Sequence, residues 1–167
     1  AQDIKDISIP MTGRKMHAVN GDITYQAYGK EGEAIYSVPR GELNRKLILK
    51  AAEHENVNLH FDMKCTDIDV KKGSVSFEDA KSGEKVITEA TQIYGTDGAF
   101  SSVRARLQKT DRFNYSQEYL RHGYKELIIP ANEDGSHKMD KNALHIWPRG
   151  EFMLIALANL DGSFTVT

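Results

Sequence analysis

Gly95-Thr96-Asp97-Gly98, followed by Ala99-Phe100-Ser101-Ser102-Val103-Arg104, is the stretch of this chain most suited to hold a ligand. An acid lies near two glycines, and a helix start follows at Ser101-Ser102. Glycine has no Cβ and tolerates positive φ, so backbone there comes close to a bound group. The N–H groups and positive dipole end of the next helix suit pyrophosphate or ribose hydroxyls. An ordinary strand–turn–helix has the same spacing, so this alternative stays open. A second candidate is Arg14 with Tyr28. A hairpin joining them brings both near the open end of one ribbon, where guanidinium and phenol could share a ligand carboxylate. A surface arginine and an interfacial tyrosine is the plainer alternative. Arg40, just ahead of a helical run, could reach a phosphate or cap a neighbour.

Other chemistries lack their residues. His17, His54, His60, His122, His137 and His145 show no metal-binding spacing and no cysteine partners, so they are expected to be surface or packed imidazoles, with no metal site. There is no Gly-x-Ser-x-Gly elbow, P-loop or Gly-x-Gly-x-x-Gly. Cys65 is expected to be a half-buried, inert thiol at a strand edge. Asp67 and Asp69 share one strand face and are most simply solvated. No catalytic side chain is therefore assigned.

Composition narrows the classes further. A length of 167 residues suffices for a substantial core, and a formal charge of −2 argues against nucleic acid or an anionic membrane as partner. The single cysteine excludes an internal disulfide and fits a reducing compartment, and no segment is apolar for long enough to span a bilayer. A soluble, cytoplasmic protein is expected.

The elements that must position these residues alternate between sheet and helix. Asn20-Gly21 predicts a two-residue type I′ hairpin between Lys15–Val19 and 23–28. Residues 35–38 form a short strand closed by Pro39. From Gly41 to Glu55, Leu43, Leu47 and Ala51 share a face, which predicts a helix packed with one side on a sheet. Val57, Leu59 and Phe61 alternate as a strand. A meander follows through Thr66–Val70, 75–77 and 86–88, leading to a strand that ends at Tyr94. Val103 and Leu107 mark a short helix. Beyond Asp111 four strands are predicted, at 124–129, 143–147, 152–157 and Ser163–Thr167. The fold class is mixed α/β (α+β), with β-hairpins on both flanks. The last strand ends uncapped on Thr167, as in a segment that continues in a longer parent; a natural edge strand is the alternative.

The Asp-Gly turn with Ser102-Val103-Arg104 resembles the corresponding motif of the flavin-dependent aromatic hydroxylases. Three further stretches are similar to that family in order along the chain: 36–45 (Tyr-Ser-Val-Pro-Arg-Gly-Glu-Leu-Asn-Arg), 122–127 (His-Gly-Tyr-Lys-Glu-Leu) and 142–148 (Asn-Ala-Leu-His-Ile-Trp-Pro). Asn159-Leu160-Asp161 with 163–167 adds another. The resemblance implies NADPH-dependent reduction of bound FAD and hydroxylation of an aromatic amino acid, L-kynurenine, through a flavin hydroperoxide. It implies that Arg14 and Tyr28 hold the substrate carboxylate, and that Ile35, Leu144, Ile155 and Leu157 wall the aromatic pocket. It assigns Arg40, Asp97 and Gly98 to the cofactor.

The same resemblance divides the chain into a substrate-domain hairpin (1–36), part of the FAD domain (37–113) and a substrate-domain sheet (114–167). It further implies an internal fragment, with a glycine-rich FAD fingerprint before residue 1 and a second flavin motif after residue 167. The fragment alone is then expected to be inactive. A related hydroxylase of another aromatic acid, or a stand-alone binding domain self-associating into a homodimer through exposed sheet edges, are the alternatives.

Overall fold

The computed structural model describes residues 2–167. Chain contacts divide it into two units, one of residues 1–57 with 120–167 and one of residues 58–119. The fold is mixed α/β, with three sheets and short helices.

The first unit holds α1 (Gln2–Lys5), β1 (Ile9–Met11), β2 (Gly13–His17), β3 (Ile23–Ala27), β4 (Ile35–Ser37) and α2 (Arg40–Ala52). In the second, β5 (Met63–Asp69), β6 (Ser74–Asp79), β7 (Lys85–Glu89) and α3 (Ser102–Leu107) follow. The chain then returns to the first with β8 (Leu127–Ile129), β9 (Ala143–Arg149), β10 (Phe152–Ala158) and β11 (Phe164–Val166).

One six-stranded sheet, ordered β3-β2-β9-β10-β11-β8, joins the two sequence flanks. Its joint is the parallel pairing of β2 with β9, which sets Arg14 beside Leu144 and Met16 beside Ile146. The remaining neighbours are antiparallel. Side chains alternate across a strand. One face therefore carries the buried Ala143, His145, Ala156, Ala158, Phe164 and Val166, while Leu144, Ile146, Ile155 and Leu157 lie half-buried on the other. The small alanines let Phe164 and Ile9 seat close to the sheet. Strand β1 pairs with β4, and the Ser37 hydroxyl donates to the Ala158 carbonyl at 3.1 Å.

In the second unit β5, β6 and β7 form the expected meander, and α3 packs on β5. Arg106 Nε ties them, donating to the Ile68 carbonyl at 3.1 Å and lying 3.3 Å from Asp67 Oδ1.

Four local expectations need correction. The β2–β3 hairpin is a three-residue loop, Val19-Asn20-Gly21: the Gly21 N–H donates to the Ala18 carbonyl, and Ala18 N–H to Asp22. Only Gly21 takes positive φ (93°), because the Asn20 side chain bonds Asp22 N–H and Oδ2 and favours a type I turn. No residue of α2 is buried, so its apolar face covers no sheet. Residues 57–61 and 92–94 form no strand, because no described strand lies beside them to complete a ladder.

Candidate functional site

Strand register decides which candidates meet. Ile155 opposes Ile146, which lies beside Met16; Arg14 and Leu144 are two residues away on the same faces of their strands. Arg14, Leu144, Ile155 and Leu157 thus share the half-buried face of the six-stranded sheet. Gln26 stands directly opposite Arg14 on β3, and its Oε1 accepts from Arg14 Nε at 2.8 Å. Tyr28 follows two residues later, tied by its N–H to the Thr12 carbonyl. Burial pushes the Tyr28 phenol up, and the Arg14 guanidinium partly opposes this.

Toward β10 and β11 the same face opens into a cleft of about 710 Å³, which Arg14, Tyr28 and Leu144 do not line. Ile155 and Leu157 form its apolar floor, and Arg40 and Gly41 at the start of α2 line its rim. The N-cap of α2 is Pro39, which offers its N–H groups no side-chain acceptor, and a Cβ on Gly41 would meet nothing within 4 Å. Asn159, Asp161, Ser163 and Thr165 add polar groups, largely bonded to one another. Sequence reasoning matched the Asn159-Leu160-Asp161 stretch to a family but gave those residues no role. Ile35 lies apart from the large sheet, in β4 opposite Met11.

The Asp97 turn, in the second unit, is closed on itself. Asp97 Oδ2 accepts from the N–H groups of Ser102 (2.7 Å) and Val103 (3.3 Å), and Ser101 Oγ donates to Oδ1 at 2.5 Å. Arg104 N–H donates to Ser101 Oγ at 2.9 Å, and the Arg104 guanidinium holds the carbonyls of Gly98 and Ala99. The Ser101 hydroxyl, then the backbone N–H groups, hold the Asp97 carboxyl below its ordinary value. The first N–H groups of α3 are therefore already spent, so the expected anion cradle at that helix end is filled by the chain's own carboxylate. Gly95 is required for packing: a Cβ there would lie 2.8 Å from Val103 Cγ1. Gly98 has φ 76° and open space where a Cβ would project.

Cys65 is partly buried, and burial followed by Asp97 and Asp67 raises its pKa, which disfavours the thiolate. Asp69 accepts from the N–H groups of Lys71 and Lys72 in the next turn. Among the described residues no cluster of three or more metal-ligating side chains occurs, and no helix is long and apolar enough to cross a membrane.

Two histidines that sequence treats as isolated meet across the β2–β9 joint. His17 Nε2 lies 2.9 Å from His145 Nδ1, and His145 Nε2 lies 2.9 Å from the Asp140 carbonyl, which can only accept. His145 therefore carries a proton on Nε2, and the space between the rings holds one more. His17 also stacks on Trp147 at 4.2 Å. Burial foremost, then His145, Arg149 and Lys15, lower the His17 pKa below its ordinary 6.5. The unfolded chain thus binds this proton more readily than the folded one, so stability is complete above about pH 6.5 and falls as pH drops through the folded pKa. The melting temperature is expected to hold near pH 7–8 and to decline as pH falls below about 6.5, and H17Q should flatten that decline. An identical decline in H17Q would exclude His17 as its source.

This architecture is consistent with a segment of the flavin-dependent aromatic hydroxylase fold. More particularly, homologues at 42–49% identity that align with nearly the whole chain are named kynurenine 3-monooxygenase. The Flavobacterium johnsoniae protein is 49% identical over 98% of this chain, and the Christiangramia forsetii protein 48% over 99%. That of Dictyostelium discoideum is 47% identical over 99%. The chain spans only 35–37% of the length of these relatives. No protein-family model matches it.

Proposed function

We propose that this chain is the substrate-facing part of an enzyme that hydroxylates L-kynurenine to 3-hydroxykynurenine, using FAD and NADPH. One observation carries the reading: Arg14 stands on the same sheet face as Leu144, Ile155 and Leu157, so a cation borders an apolar surface. An aromatic amino acid has matching parts, a carboxylate and a ring.

In this reading Arg14 and Tyr28 bind the carboxylate, by charge-assisted and phenolic hydrogen bonds. Leu144, Ile155 and Leu157, with Ile35 from β4, wall the ring and exclude water from it. Arg40 and the open N-terminus of α2 would hold an anionic part of FAD. Asp97 would act on the cofactor side by fixing a turn whose Gly98 backbone is open to approach. FAD, once reduced by NADPH, would supply activated oxygen, which accords with the absence of any assigned nucleophile. Residues 37–113 then belong to the FAD-binding part and the flanks to the substrate domain. A cytoplasmic location accords with the lone free thiol.

Turnover by the full-length protein carrying this segment, supplied with FAD and NADPH, tests the reading. L-kynurenine is expected to give 3-hydroxykynurenine, with little product from 4-hydroxybenzoate. Hydroxylation of the benzoate but not of kynurenine would overturn it.

A further inference from the structure

Gln26 is the side chain that decides how Arg14 presents its charge. The two residues are exact cross-strand partners in the β2–β3 register. Arginine can only donate, so the 2.8 Å contact to Nε fixes the Gln26 carboxamide with its oxygen toward Arg14. Nε is thereby spent. Arg14 forms no ion pair among the described residues, so the terminal pair of nitrogens, Nη1 and Nη2, is the donor edge left for a ligand. A neutral carboxamide holds the guanidinium without cancelling its charge, which a carboxylate at this position would do.

We propose that Gln26 is a positioning residue: by occupying Arg14 Nε it presents the Nη1/Nη2 edge end-on to the substrate carboxylate. The proposal rests on the reading of Arg14 given above. Fixing the guanidinium before binding lowers the ordering cost that the ligand must otherwise meet. Gln26 itself touches no substrate atom and acts only through Arg14.

The test uses the full-length protein, measuring both binding and steady-state kinetics. Q26L is expected to raise the Kd and KM for L-kynurenine roughly 3- to 10-fold while kcat at saturation holds. For kynuramine, the analogue without the carboxylate, the same substitution should leave Kd within about twofold. Q26E should weaken L-kynurenine binding more than Q26L, because the added charge neutralises Arg14. In the R14M background Q26L should have no further effect. Equal losses for both ligands would reduce Gln26 to a structural support of the hairpin and overturn the proposal. If R14M weakens L-kynurenine binding while Q26L does not, positioning fails and the Arg14 reading stands. If neither substitution matters, the Arg14 reading fails as well.

Discussion

Replacing Arg14 by methionine in the full-length protein is expected to raise the KM for L-kynurenine on the order of 30-fold, with NADPH oxidation retained. Methionine keeps an unbranched stem on the sheet face and removes only the charge and the donors. The loss should therefore be that of a charge-assisted pair, about 2 kcal/mol. Arg14 is exposed and bonded only to neutral Gln26, so no buried partner is left unpaired by its removal. The fold should survive. Steady-state kinetics with parallel measurement of NADPH consumption separate the two quantities, and an unchanged KM would refute the carboxylate role.

The largest effect on stability is expected at Phe164. It is fully buried (0% exposed) on the sheet's buried face, among Ile9, Ala156, Ala158 and Val166. His145 and His137 meet its ring edge-on at 5.8 and 5.6 Å. F164A removes the largest side chain of this cluster, and the two alanines beside it are too short to close the gap. Substitutions of this kind cost about 3–5 kcal/mol, a large part of the roughly 5–15 kcal/mol that holds a domain folded. Denaturant unfolding followed through Trp147, the single tryptophan, should show the midpoint fall steeply. F152A, at a residue 60% exposed on β10, should cost less than about 1 kcal/mol by comparison. Equal losses at the two positions would contradict this account of the core.

Much of the local structure was legible in the residues. The meander at 66–88 was one such reading, and its two turns place Gly73 and Gly83 at positive φ (69° and 74°), which glycine takes without strain. The last strand followed from two-residue alternation, and Phe164 and Val166 are buried while Thr165 and Thr167 are half-buried. The same alternation misled at Val57, Leu59 and Phe61. A pattern records which side chains could face a core, but a strand also needs a neighbour for its N–H and C=O groups. The Asp97 turn misled for another reason. Its spacing correctly indicated open backbone and a helix start, yet nothing in the spacing revealed that Asp97 itself would bind the helix N–H groups.

By itself the sequence determined most of the elements, the glycine turns of the meander, the lack of a metal-binding spacing and, through separated motifs, the resemblance to flavin-dependent hydroxylases. These depend on periodicity, glycine placement and residue identity, all local in the chain. The tertiary structure alone decided that β2, which ends at His17, pairs in parallel with β9, which begins only at Ala143. That pairing sets Arg14 beside Leu144, joins His17 to His145, and makes one surface out of two flanks. Register between distant strands comes from mutual packing and ladder hydrogen bonds, which no stretch of sequence holds alone.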